Sequence, residues 1–354
     1  NSDMWTSYLL YSLCVFTLLT SCNEEDIKLD ASTVVAWFAV PDRPGELGHL
    51  LHKIYKETGV SIFVNDTLGY VEDGIDANGE PVRFYETVSE KYLLYSSVSR
   101  DIRFVLSRDT VAMLKAVNTI EKWVFPNLPP SGKYRIKSLL LADSLLTEDN
   151  GGDKIRQGGK TAWVFEESIE TTPVGKLADI KNMDEPTLKF WAGMVLSSKV
   201  YNWLNSHCSD SLTVFYKMTN SDLPKKSRTL YNLHDYKFYR MIDTGEEMDL
   251  NADWYFGAEL WDYWRMGFLE WGDTEWCEID PKDSSRWIVH RKALEKSCDA
   301  MNYIASVYAF SDEEFKNLFA GVEYSEKCIQ RRLYMKKLVE LFCAANGVAY
   351  QSFH

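Results

Sequence analysis

Read for its alternation of apolar and polar positions, the chain favours strands in its first part and helices in its second. The β-branched and aromatic run Thr33-Val34-Val35-Ala36-Trp37-Phe38-Ala39-Val40 predicts a buried strand, broken at Asp42-Arg43-Pro44-Gly45. Leu47, Leu50, Leu51, Ile54 and Tyr55 then recur at helical spacing up to Gly59. A second strand is expected over 60–66, and the turn residues Asp76-Ala77-Asn78-Gly79 predict a hairpin or loop between extended segments. Met113, Val117, Ile120 and Val124 share one helical face, which Pro126, Pro129, Pro130 and Gly132 terminate. Strands are expected over 134–146 and 160–168, with a Gly-rich surface loop over 147–160 between them.

The pattern changes at Asp184-Glu185-Pro186, a helix start. Leu188, Trp191, Val195, Val200 and Trp203 follow at helical intervals. Residues 206–253 are polar and read as loop-rich, and 258–271 read as another helix. Two long helices are predicted to close the chain. One, over 284–310, carries Leu294, Cys298, Met301, Ala305 and Tyr308; the other, over 325–342, carries Ile329, Leu333, Leu338, Leu341 and Phe342. The expected class is α+β, a single domain over 34–354 with a strand-rich part (34–183) and a helical part (184–354).

Composition narrows the function classes. Aromatic residues at 14% and charged residues at 26% suit a globular body with a sizeable core. The net charge of −13, with no Lys/Arg-rich block, argues against a nucleic-acid partner, whose phosphates need clustered cations. Beyond position 21 no apolar run approaches the roughly 20 residues of a spanning helix.

The segment from Met4 to Ser21 has the apolar core and small-residue exit of a secretory signal. Leu19-Thr20-Ser21-Cys22 resembles a bacterial lipobox, in which the cysteine thiol is acylated and becomes the first mature residue. The acidic Asn23-Glu24-Glu25-Asp26 resembles the export tag of surface lipoproteins in Bacteroidetes. No Lys or Arg precedes the apolar run, as expected if the start is misplaced. The expectation is a signal peptide over 1–21, lipidation at Cys22, a tether over 22–33 and a surface-exposed site on the outer membrane, attached through the lipid. Of the seven cysteines, Cys208, Cys277, Cys298, Cys328 and Cys343 lie beyond this region and match no CxxC or zinc-ribbon spacing. An odd five leaves at least one free thiol, and at most one or two bridges are expected.

The order of elements, with Leu47-Gly48-His49-Leu50-Leu51-His52 near its start and the segments 266–304 and 324–342 near its end, resembles a family of Bacteroidetes lipoproteins. These are zinc metallohydrolase-like proteins associated with nutrient import. The resemblance implies a zincin-like scaffold, an outer-membrane importer complex as partner and a glycan or peptide as ligand. Their HExxH motif places two imidazoles on one helical face around zinc, with the Glu as general base. The matching helix here reads Lys189-Phe190-Trp191-Ala192-Gly193-Met194-Val195-Leu196-Ser197-Ser198-Lys199-Val200, without His, acid or thiol. Ser284 and Trp287 stand where a third acidic ligand would be expected. The implication is a non-catalytic relative with no metal and no cofactor. The alternative is a hydrolase, metallopeptidase-like or glycan-acting, whose active site follows another pattern.

Other constellations are thin. His49 and His52 are three apart on a helix but lack a matching acid, and His207-Cys208 beside Asp210 is too local for a nucleophile and its base. Asp76-Ala77-Asn78-Gly79 lacks the first and last ligands of a calcium loop, and Gly159-Lys160-Thr161 lacks the spacing of a phosphate loop. The densest feature is 270–280, where Trp271 and Trp276 alternate with Glu270, Asp273, Glu275 and Glu278. Indole faces beside carboxylates suit sugar rings, so Trp271, Asp273, Trp276 and Glu278 are the candidate ligand-binding residues, against the simpler reading of core tryptophans and solvated acids.

Overall fold

In the computed structural model, the described residues are 38–87, 102–149, 152–155, 171–220, 231, 236–249, 264, 267–270, 275–291, 294–322 and 325–353. Helix α1 (Glu46–Thr58) buries Leu51 and Ile54 and ends where Gly59 adopts a left-handed conformation at φ 70°. Strand β1 (Ser61–Phe63) follows, then the hairpin of β2 (Thr67–Ile75) and β3 (Pro81–Thr87). The turn between them forms because Asp76 Oδ1 accepts from the backbone N–H groups of Asn78 and Glu80. Strand β4 (Ile102–Leu106) precedes α2 (Thr110–Thr119), whose N-terminus is capped by the Asp109 carboxylate. The helix continues through a π-helical turn over Ile120–Val124 and stops at Pro126 as expected.

Strand β5 (Ser138–Asp149) organises the first sheet. Its first residues lie between two parallel neighbours, β1 and β7 (Thr171–Val174). Its later residues lie between two antiparallel ones, β4 and β6 (Gly152–Ile155). Leu139 to Ala142 are fully buried, which explains the unbroken apolar run: a strand covered on both faces does not alternate. Strand β6 corrects the reading of 147–160 as a loop throughout. The expected strand over 160–168 lies outside the described residues, and Phe38–Val40 do not form the strand predicted over 33–40.

The single turn α3 (Leu177–Ile180) leads to α4 (Glu185–His207), capped by Asp184 with Pro186 in its first turn. Helix α5 (Ser209–Lys217) and strands β8 (Tyr236–Met241) and β9 (Glu247–Asp249) occupy the stretch expected to be loop-rich. Its polar residues conceal a short buried pair, Leu212 and Phe215, and an aromatic strand. Strands β10 (Glu275–Asp280) and β11 (Asp283–Arg291) complete a second sheet in the order β10-β11-β8-β9. The helix predicted from 284 therefore begins only at α6 (Lys296–Ala309); the Trp287-Ile288-Val289 run before it is strand. Of the helix expected over 258–271, Trp264 is in a 3-10 turn and Gly267 to Glu270 form a turn and bend; the remaining positions lie outside the described residues. Helices α7 (Asp312–Asn317) and α8 (Glu326–Ala345) end the chain.

The class is α+β: seven of the eleven described strands precede Asp184 and the longest helices follow it, and to that helical second half the structure adds a four-stranded sheet, β8 to β11, that was not expected there. Helices α4, α6 and α8 pack together as the helical core, within the compact unit Val40–His354. No described helix is long and apolar enough to cross a membrane.

Candidate functional site

Strand β10 carries two of the four candidate ligand-binding residues. Trp276 and Glu278 are two apart and therefore belong to one face of the sheet. In register, Trp276 stands opposite His290 and Glu278 opposite Ile288, with Lys237 and Tyr239 next on β8. Glu278 is exposed. The same sheet holds Arg286, whose guanidinium lies 3.7 Å from the centre of the Tyr239 ring and donates to the buried Asp280 at 2.7 Å. At the β10–β11 turn the Lys282 N–H, and after it the Arg286 guanidinium, keep the Asp280 carboxyl below its usual range. Trp271 and Asp273 lie outside the described residues, as does Cys22. Glu270 departs from expectation. It is buried, and Asn302 donates to it at 2.6 Å, so it ties this segment to α6 instead of facing solvent.

The richest chemistry was not among the candidates. Asp299, Asn302, Tyr303 and Ser306 form a buried polar stripe at helical spacing on α6. Arg331 of α8 meets Asp299 through both terminal nitrogens, at 2.5 and 3.2 Å, and both residues are fully buried. The Tyr231 hydroxyl donates to the same carboxylate and accepts from Arg331 at 3.0 Å. Arg331 also donates to the Gly267 carbonyl, which accepts from Tyr303 at 2.6 Å. The guanidinium is stacked 4.0 Å from the centre of the Phe215 ring. Its Nε has no partner among the described residues.

Burial alone would lower the Arg331 pKa, but the Asp299 carboxylate more than offsets it and the cation is held. Burial also pushes the Tyr231 hydroxyl up, reinforced by Asp299, and raises the Cys328 thiol to about 11. A protonated thiol hydrogen-bonded to the Trp264 carbonyl at 3.3 Å is no nucleophile at neutral pH. The centre is a clamp on the Gly267 turn. Glycine is required there, since its φ is 84° and a Cβ would fall 2.9 Å from Arg331 Cδ.

Helix α8 shows why this centre escaped the periodicity. The buried stripe runs through Cys328, Arg331, Arg332, Met335, Leu338, Val339, Phe342 and Cys343. Of the predicted stripe, Leu338 and Phe342 are buried, whereas Ile329 and Leu333 are half-buried and Leu341 is 53% exposed. Counting only apolar residues rotates the helix, because two buried arginines were scored as surface. Arg332 is satisfied by Asp312 at 2.5 Å and by the Phe310 carbonyl.

On α4, Trp191 to Ser198 are all buried. Gly193 lies against α6 so closely that a Cβ would sit 2.6 Å from the Ala305 carbonyl oxygen. Trp191 donates to the Gly175 carbonyl at 3.1 Å. His49 pairs with Asp42 at 2.6 Å, and His52 donates to the Val40 carbonyl at 2.7 Å. His207 is stacked on Trp203 with Nδ1 at that residue's carbonyl, 3.0 Å away, so it is not engaged with Cys208. All five cysteines from Cys208 onward are unbridged. Among the described residues, no group of three or more His, Cys, Asp or Glu side chains is arranged to hold a metal ion. Comparison with known proteins finds no matching family model, no matching curated protein and no matching solved structure.

Proposed function

We infer that this chain is a surface-exposed lipoprotein of the outer membrane, anchored through Cys22, whose zincin-like body performs binding or accessory work beside a nutrient importer without hydrolysing the nutrient. The observation that carries the non-catalytic part is the burial of the α4 stretch from Trp191 to Ser198. A hydrolytic zinc needs ligands on an open face with room for water and substrate. Here that stretch carries no His, acid or thiol and is held close to α6 at Gly193. The anchor rests on Leu19-Thr20-Ser21-Cys22 and the acids after it.

Metal analysis of the purified full chain, with peptidase and glycosidase assays, tests the reading. Substoichiometric zinc and no turnover are expected; stoichiometric zinc with turnover overturns it. Cys22→Ala is expected to move the protein from the membrane fraction to the soluble one, and full retention on the membrane overturns lipidation there. A glycan-acting hydrolase is the second reading, favoured by Trp276 and Glu278 sharing one face of an edge strand. Product analysis after incubation with polysaccharide separates it from pure binding.

A further inference from the structure

The β2–β3 hairpin forms a two-stranded sheet that pairs with no other described strand. Such a ribbon is marginally stable alone and normally buries its aromatic residues against something. Here they face solvent: Tyr70 is 48% exposed, Tyr85 59% and Phe84 59%. Tyr70 stands directly opposite Tyr85, and Glu72 directly opposite Arg83, so the four side chains share one face. The tyrosine ring centres are 5.8 Å apart with planes tilted by 58°. Arg83 lies 4.8 Å from the Tyr70 ring centre and donates to Glu72 at 3.1 Å.

We propose that this face is a binding platform for an uncharged saccharide chain, with Tyr70 and Tyr85 stacking on sugar rings and Glu72 and Arg83 hydrogen-bonding their hydroxyls. One face of Tyr70 is covered by the Arg83 guanidinium; the ring surface that stays exposed on Tyr70 and Tyr85, bordered by one acceptor group and one multi-donor group, matches a ligand whose own rings are apolar on the face and hydroxylated at the rim. Charge selects among such ligands. Glu72 and Arg83 neutralise each other, and the chain carries −13 overall, so its field repels acidic polymers and leaves neutral ones unopposed. A peptide added as a third strand is the poorer fit. The ladder shifts register near both ends of β2, Gly74 sits at φ 85°, and Pro81 opens β3 without an N–H.

The inference rests on the accessory-binding role proposed above, and names a ligand class and a site for it. The test is affinity electrophoresis of the purified full chain through gels containing a neutral α-glucan, a mixed-linkage β-glucan, a mannan or polygalacturonate, with binding to an extended peptide measured alongside. Retardation by at least one neutral polysaccharide is expected, with none by polygalacturonate. Tyr70→Ala and Tyr85→Ala are expected to weaken it roughly tenfold without shifting the thermal unfolding midpoint. Tyr85→Phe should bind like the parent, and Arg83→Gln, which leaves both rings, should weaken retardation by less than either Ala variant. Neutral-glycan binding untouched by all of these variants overturns the platform while leaving the binding role standing. Peptide binding lost in the same variants overturns the ligand class. Absence of any glycan binding overturns the platform, and the accessory role falls with it only if the chain also fails to co-purify with an importer from membranes.

Discussion

Arg331 and Arg83 each meet one carboxylate and lie under 5 Å from a tyrosine ring centre, Tyr303 and Tyr70 respectively. Their surroundings differ. The side chains of Arg331 and Asp299 are 0% exposed, whereas those of Arg83 and Glu72 are 46% and 48% exposed. Inside the helical core neither charge has water as an alternative partner, so removing one strands the other. On the hairpin, water screens the pair and can replace either partner, so the bond contributes little to folding and opens readily. One chemistry thus makes a structural clamp in one place and an exchangeable surface in another. Burial decides which.

That contrast can be broken by measurement. The largest expected effect is at the clamp: Asp299→Ala should lower unfolding free energy by roughly 3–5 kcal/mol, read by urea denaturation. Replacing both partners, as Asp299→Leu with Arg331→Met, should recover a large part of it, and a double variant worse than either single one would contradict the clamp. Next comes Gly193→Ala, expected to cost about 1–3 kcal/mol because the obstacle is the Ala305 backbone and not a movable side-chain tip. An unchanged denaturation midpoint would mean that α4 and α6 do not approach so closely.

A smaller, pH-dependent effect is expected at Asp312, which is partly exposed. Its hydrogen bond from Arg332, with help from Lys336, holds the carboxyl below the usual range. A carboxyl depressed on folding stabilises above its unfolded pKa, and that contribution fades as pH falls through the folded value. Asp312→Asn should therefore be less stable than the parent at neutral pH, with the gap closing in acid; a gap independent of pH would remove the electrostatic explanation. The smallest effect on stability belongs to the hairpin. Glu72→Gln is expected to leave the denaturation midpoint unchanged while weakening saccharide retardation, and a clear loss of stability would make the exposed pair structural after all.

Much of the element pattern was legible. Helix α1 with its Gly59 stop, the hairpin turn at Asp76–Gly79, and α4 starting at Asp184 were all readable, because caps and turns are local chemistry. The C-terminal sheet was not. Residues 284–291 were drawn into the helix that follows them, and the aromatic strand β8 was hidden in a polar stretch. Strand pairing joins Tyr236–Met241 to residues some fifty positions away, and no window of local periodicity spans that distance. Of the candidate ligand-binding residues, Trp276 and Glu278 were brought to one face by β10, while Glu270 beside them became an anchor.

By itself the sequence determined the α+β class and the boundaries of α1 and α4, and it carries the lipobox-like Leu19-Thr20-Ser21-Cys22 and no Lys/Arg-rich block. Each follows from composition or from neighbours within a few positions. The tertiary structure alone decided which charges are buried. Asp299 and Arg331 are 32 residues apart and become partners only when α6 and α8 pack, and Tyr70 and Tyr85 become one surface only when β2 and β3 pair. A charge's cost and a ring's availability depend on the distance to water, and that distance is a property of packing, which residue identity does not carry.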